Sequence, residues 1–572
     1  MRLIYVYIGE SGPLRDVELN FCADVRCGMV GETLEVERQA PLPKHFYKLR
    51  SCRREQVTSV SAIVGENGAG KTSVAEFLAR ACAETVSGDY LIVTEDQGKN
   101  LRCYGRWERW ALRLDPAFGS AIKGRRPPFR LIYLSPHYSL GRRIEPVKNR
   151  VIDLSTNGLL RDCHDKNRLP DSLADYECQQ IKWMLEWARI LHDKSDEECR
   201  NAGLRLPRGV TISLDQRAIQ AGVRRFAFFK SDKQKGGANI DGALYDFYLY
   251  AFFGYVASLE EYREHSGRPR PVRENIADLI AFADSIDAEL CKKDHLSKLD
   301  AFERIRDYLE TIPKGRNRAL SKVRQVRRFF GRLAEILDAV SVEDCARDHS
   351  CIRIAFSNKK VSNAVLHLVA LHAICEKAFD ILRFGLNPLM SSGEMAYMSM
   401  WGRLNWFFSR QHGKAGRMLV FLDEAETTLH PSWQRRLVMN MIWYFSNFTS
   451  GKIHVVFATH SPFLLSDIPG GQACFLEYEV QEDGGHGLVR SVFDDTFKDS
   501  FASNFYDLYR LPFVLPEGPV GAFAQEKIDD LLDRVKSGEL LDDDRALAEL
   551  VGDRIVRGYL KEKMAQFQLE VK

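Results

Sequence analysis

The residues Gly65-Glu66-Asn67-Gly68-Ala69-Gly70-Lys71-Thr72 satisfy in full the pattern GxxxxGK followed by Ser or Thr. Glycines at these positions let successive backbone N–H groups close around phosphate oxygens. A helix starting there adds the positive end of its dipole. Lys71 is placed to reach β- and γ-phosphates and the Thr72 hydroxyl to bind Mg²⁺, with Ser73 next in the helix. Far downstream, "RMLVFLDEAETTLHP" carries apolar Leu419 to Leu422 and then Asp423 and Glu424. A buried strand ending in two acids suits metal work, Asp423 holding Mg²⁺ and Glu424 polarising an attacking water. "KIHVVFATHSPFLL" is a further buried strand, ending at Thr459-His460-Ser461. Strand, helix and strand in this order form a parallel crossover, which puts His460 at the same sheet edge as Asp423 and Glu424. A histidine there can hydrogen-bond a γ-phosphate or the attacking water. Finally, Ser391-Ser392-Gly393-Glu394 opens a helix before Asp423. Alone it is a good helix cap; a hydroxyl and bare backbone at a helix N-terminus also suit an anion.

These groups need elements to position them. Val60 to Val64 is a short β-branched and apolar run that reads as a buried strand, and "SVAEFLARACAE" after Thr72 has helical spacing. The phosphate loop and Asp423 stand about 350 residues apart, too far for one uninterrupted sheet. The expected organisation is therefore an α/β head in two pieces, residues 1–155 and 351–480. A mainly helical insertion would fill 156–350 and a helical segment 481–572.

Ser391 to Glu394 resembles the signature of ABC-type ATPases, written LSGGQ or LSSGE. With "FLDEAETTLHP" and "ATHSPFLLSDIP" the chain looks like one branch of that class. The branch contains RecF- and SMC-related ATPases, the ATPase half of overcoming-lysogenization nucleases, and anti-phage defence ATPases of the Septu and retron type. The opening "LIYVYIGESGPLRDVELNF" resembles the branch's first hairpin, and "FASNFYDLYRLPFVLPEGPVGAFAQEKIDDLL" is similar to a segment of defence-type members. The resemblance covers roughly residues 1–155 and 350–565. It implies an ABC-type P-loop ATPase head, a mixed sheet flanked by helices, with ATP and Mg²⁺ as cofactors. It also implies a homodimer or higher oligomer, in which Ser391, Ser392, Gly393 and Glu394 of one copy meet the nucleotide of the other. Two departures stand out: Ser135-Pro136-His137 where the family places a glutamine loop, and a signature without its leading leucine.

Composition narrows the setting. The 572 residues are 45% hydrophobic with a formal net charge of +3, so attraction to nucleic acid must come from local patches. No 18-residue apolar run occurs, and the N-terminus lacks the marks of a signal peptide. A cytoplasmic protein with no membrane partner is expected. Thirteen cysteines without a CxxC read as reduced thiols.

In the insertion, Val323, Val326, Phe330, Leu333, Leu337 and Val340 form a heptad seam. Lys314, Arg316, Arg318, Lys322, Arg324, Arg327, Arg328 and Arg332 give a basic run with no acid, and Arg324, Arg328 and Arg332 fall away from the seam. A second basic stretch, "RLPRGVTISLDQRAIQAGVRRFAFFKSDKQK", interleaves aromatics. Nucleic-acid phosphate contact and a solvated or protein-facing surface are both open. Asp542-Asp543-Asp544 reads as a loop and helix start rather than a nuclease motif. Any nucleic-acid cutting is thus expected from a separate effector, a nuclease under the control of an antiviral ATPase. A DNA-repair ATPase is the alternative. A transporter subunit fits poorly with so large a helical insertion.

Overall fold

The computed structural model describes residues 2–52, 54–96, 100–106, 111–114, 121–124, 126–139, 144–164, 172–192, 207–232, 243–265, 273–292, 296–312, 321–340, 351–356, 359–375, 380–411, 416–479, 488–492, 500–509, 520–541 and 543–570. Val57–Val64 (β1), Arg130–Leu134 (β2), Gly416–Asp423 (β3), Gly451–Thr459 (β4) and Ala473–Glu479 (β5) form the parallel half of a mixed sheet. Their spatial order is β2, β3, β4, β1, β5. The runs Leu131–Leu134, Met418–Leu422 and Val455–Ala458 are buried and apolar, as in parallel strands covered on both faces, whereas Glu477 to Glu479 of β5 are exposed. In β1 all but one of the eight positions are buried. The rest of the sheet is largely antiparallel and includes the hairpin strands Arg2–Ser11 and Leu14–Asn20.

Register decides where the loops emerge. Leu134 pairs with Leu422, Asp423 with Ala458, and Thr459 with Val64. The carboxyl ends of β2, β3, β4 and β1 therefore lie side by side, the edge at which open α/β sheets take ligands.

The helix Lys71–Cys82 (α1) buries Val74, Phe77 and Leu78 in a core shared with Leu131, Leu419, Phe421 and Val456. Each such side chain contributes about 1.5–3 kcal/mol on burial, which anchors the phosphate loop to the strands. Six more helices matter here: Ser172–His192 (α2), Ala243–His265 (α3), Ser321–Leu337 (α4), Lys359–His372 (α5), Ser392–Ser409 (α6) and Pro431–Phe448 (α7). α2, α6 and α7 share an aromatic core in which Trp187 lies 6.2 Å from Trp401 and 5.4 Å from Tyr444 between ring centroids. A Cβ at Gly402 would sit 2.9 Å from the Trp183 carbonyl carbon, so this glycine lets α6 close onto α2.

The heptad seam is an internal one. Val323, Val326, Phe330, Leu333 and Leu337 of α4 are buried, and the Phe330 ring meets Tyr248, Phe252 and Tyr255 of α3. Val340 lies beyond the end of the helix and is half-buried. The second basic stretch folds as the strand Gly209–Leu214 and the helix Gln216–Arg225. Its strand pairs with Cys351–Ala355 and Leu382–Asn387, tying the insertion to residues beyond 350. Three of its arginines are ion-paired: Arg217 with Asp215, Arg224 with Glu261, and Arg225 with Glu260 and Asp284. Lys314, Arg316 and Arg318 lie outside the described residues, as does the Lys322 side chain.

Residues Met1–Ala502 form one compact unit and Ser503–Lys572 a second. In the second, Ala522–Ser537 (α8), Asp544–Leu550 (α9) and Arg554–Glu570 (α10) surround a small core containing Leu531, Val535, Leu560 and Met564. Asp543 is the N-cap of α9, and Asp544 pairs with Arg534 at 2.8 Å. Asp543 makes no side-chain cap bond, Asp544 is engaged in the ion pair, and Asp542 lies outside the described residues. Among the described residues no helix is long and apolar enough to cross a membrane. The described cysteines are free thiols, mostly buried.

Candidate active site

The loop after β1 has the shape its glycines permit. Gly68 and Gly70 take φ of 89° and 84°, a region that side chains with a Cβ rarely adopt. A Cβ at Gly65 would stand 2.5 Å from the Leu476 carbonyl oxygen, so the loop also needs glycine to pass β5. The Lys71 ammonium is buried and donates to the carbonyls of Gly65 at 2.8 Å and Glu66 at 3.0 Å. It lies 3.5 Å from the Glu424 carboxylate.

The end of β3 meets this loop through Asp423. The Thr72 hydroxyl donates to Asp423 Oδ2 at 2.8 Å, and the Tyr133 hydroxyl donates to the same oxygen at 2.7 Å. Asp423 Oδ1 is buried with no hydrogen-bond partner. A buried carboxylate oxygen without a donor, beside a threonine hydroxyl, is an oxygen-only donor set that fits Mg²⁺, which takes one or two protein ligands plus phosphates and water. Burial raises the Asp423 carboxyl above its usual range, opposed by the bonds from Tyr133 and Thr72. A bound dication would favour the ionised form.

Glu424 stands at φ 49°, uncommon for a residue with a side chain. Its N–H is held by the Ala458 carbonyl at 2.9 Å, so the neighbouring strand enforces the conformation and turns the carboxylate toward Lys71. His460 follows β4, and its Nδ1 is buried without a partner. Burial and then the Lys71 charge lower its pKa, keeping the ring neutral near pH 7. A neutral imidazole can both donate and accept, the property useful beside phosphate and water.

Ser391 is the N-cap of α6 and forms a reciprocal capping box with Glu394, whose carboxylate accepts from the Ser391 N–H at 2.8 Å. Glu394 is thereby buried and engaged, while Ser391 and Ser392 are exposed at the helix tip. A Cβ at Gly393 would lie 2.8 Å from the Thr428 carbonyl oxygen, so this turn packs on the loop following Glu424. His430 ends that loop and caps α7, its Nδ1 accepting from the Ser432 N–H at 3.2 Å.

Four further side chains join the site, of which Tyr133 and Arg403 belong to no motif of the sequence. Tyr133 is the first. His137, in the stretch where a glutamine was expected, has Nε2 3.2 Å from the Glu424 carbonyl oxygen and against the Thr427 hydroxyl. Arg403 is buried in α6 and donates to the carbonyls of Ser135 and Leu154, to Gln180 and to the Tyr176 hydroxyl. It ties the signature helix to the β2 loop and to α2. Glu426 is fully buried, accepts from the Thr459 hydroxyl and leaves Oε2 without a partner.

Two measurable consequences follow from these neighbours. Tyr133→Phe removes one of the donors that fix Asp423. The Mg²⁺ concentration for half-maximal nucleotide turnover is expected to rise roughly tenfold, with nucleotide affinity at saturating Mg²⁺ little changed. An unaltered Mg²⁺ titration would exclude this positioning role.

For Glu426, burial pushes the carboxyl up to about 7 from 4.5. The folded state then holds a proton that the unfolded chain releases. Its contribution is greatest below 4.5 and is lost as pH rises through about 7. Glu426→Gln keeps the shape of the protonated acid. Relative to the parent it should gain up to roughly 3 kcal/mol above that window. Denaturant unfolding at pH 5 and pH 8 measures the difference, and equal pH slopes in both proteins refute it.

A family described as "AAA domain, putative AbiEii toxin, Type IV TA system" matches residues 403–466. That span runs from Arg403 of α6 through Asp423 and Glu424 to His460 and Ser466. The phosphate loop lies outside the matched segment, but sheet register brings it to the same edge. The chain carries an AAA-type P-loop ATPase domain.

Proposed function

We propose that this chain is an ATP-driven switch in which two copies close on ATP and separate on hydrolysis, thereby controlling a separate effector. The observation that carries the reading is the exposed Ser391-Ser392 turn at the N-terminus of α6, packed on the loop that follows Glu424. The exposed Ser392 hydroxyl at this helix tip, beside the capped Ser391, offers an anion site to a partner copy. Within one copy, Lys71 and the loop N–H groups would hold the phosphates, and Thr72 and Asp423 would hold Mg²⁺. When bound, the ion neutralises developing phosphate charge. Glu424 would take the proton of the attacking water, and His460 would hydrogen-bond the γ-phosphate or that water.

The effector is proposed to be a nuclease in an antiviral system of the Septu or retron type, working in the cytoplasm. Support comes from the resemblance of residues 501–532 to defence-type ATPases and from the toxin–antitoxin systems named in the description of the matched family. The test is to purify tagged Glu424→Gln protein from its host with Mg-ATP, then measure its mass by light scattering and identify what accompanies it. A dimer formed only with ATP, carrying a stoichiometric nuclease or toxin-like protein, supports the reading. A monomer at all ATP concentrations overturns the switch. Recombination proteins or bulk DNA as the only companions would favour a repair ATPase.

A further inference from the structure

α4 and α5 line a half-open cavity of about 850 Å³. One wall carries Arg324, Arg327, Arg328 and Arg332 of α4; the other is mainly apolar, with His367, Ala370 and Leu371 of α5 and Ile374 just beyond its end. Glu335 is the carboxylate among the described lining residues, and it is paired with Arg332. Among the described lining residues the arginines thus outnumber the carboxylate four to one.

Gly331 is the second observation. It sits inside α4, lines the cavity, and a Cβ built on it would meet nothing within 4 Å. Neither packing nor a positive φ calls for glycine there, although glycine weakens a helix interior. Its effect is to leave bare backbone on the cavity wall, where a ligand can approach closely.

We infer that the α4–α5 cavity binds a segment of single-stranded nucleic acid, phosphodiester oxygens on the arginine wall and a base against Leu371 and Ile374. Guanidinium forks suit phosphate oxygens, and Arg324 to Arg332 spans about 12 Å of helix, more than a single phosphate covers. The apolar wall suits the flat body of a base, which an acidic peptide lacks. The site lies beyond the ATP switch in function but has a route to it. α5 leads toward the strand Leu382–Asn387 just before Ser391, and His372 Nε2 accepts from the N–H groups of Ile381 at 3.3 Å and Leu382 at 3.2 Å.

The test uses full-length protein carrying Lys71→Ala, so that the phosphate loop is silent and failure of the ATP reading cannot affect the result. Fluorescein-labelled single-stranded DNA and RNA 12-mers are titrated by anisotropy at several salt concentrations. Adding Arg324→Ala and Arg328→Ala should weaken binding at least about tenfold and lower the log–log salt slope by roughly 1.4. Gly331→Ala should weaken binding while raising the thermal midpoint, an outcome that misfolding cannot mimic. Equal affinity with and without the two arginines overturns the proposal, as does unimpaired binding by Gly331→Ala. Labelled AMP binding as tightly as the 12-mers, with the same arginine dependence, overturns the polymer and gives the cavity to a free nucleotide.

Discussion

Glu424→Gln is expected to lower ATP turnover at least about 10²-fold, the usual contribution of a general base, while leaving ATP binding intact. Glutamine has the size of the glutamate and tolerates the same φ of 49°, so the N–H bond to Ala458 and the course of the loop persist. What it loses is the ability to accept a proton. The Glu424 carboxylate lies 3.5 Å from the Lys71 ammonium, where an attacking water and the γ-phosphate would converge. Phosphate release measured beside binding of a fluorescent ATP analogue separates the two effects. Turnover at the parental rate would take Glu424 out of the base role and direct attention to His460.

Lys71→Ala should weaken ATP binding at least about 30-fold. The ammonium is 4% exposed and surrounded by the Gly65 and Glu66 carbonyls and the Glu424 carboxylate. Truncation removes the cation that faces the phosphates and leaves the acceptors to repel them. Losing one partner of a buried charged pair costs about 2–5 kcal/mol, which is roughly 30-fold to more than 10³-fold in affinity. ATP raises the thermal midpoint of a protein that binds it in proportion to the logarithm of [ATP]/Kd. The parent should therefore shift with Mg-ATP and the variant should shift much less at the same concentration. An equal shift in both proteins would mean that the nucleotide sits elsewhere.

The site was partly legible before any coordinates. The order of strand, glycine loop and helix at Val64 to Thr72 is local, and so is a run of apolar residues ending in Asp423-Glu424. Each depends on neighbours a few positions away. The seam from Val323 to Leu337 was legible as a buried face for the same reason, but its partner was not. Periodicity says that a face is covered, whereas the covering rings of Tyr248, Phe252 and Tyr255 belong to α3. The partners of Arg224 and Arg225 were likewise hidden from the sequence, because the carboxylates that pair with them stand on other helices.

By itself the sequence determined the chemical groups and the local shape that presents them: a phosphate-binding loop, an acidic strand end, a histidine after a strand and a capped serine turn. Glycine conformations and helix caps are set within a few residues. Tertiary structure alone decided that Tyr133 donates to Asp423 across 290 positions, that Arg403 bonds the carbonyl of Ser135, and that Glu426 is sealed under Thr459. Those contacts exist because the β2, β3 and β4 registers bring their carboxyl ends together. Register is a cooperative property of the whole sheet, fixed by which faces are buried, and no short stretch of residues contains it.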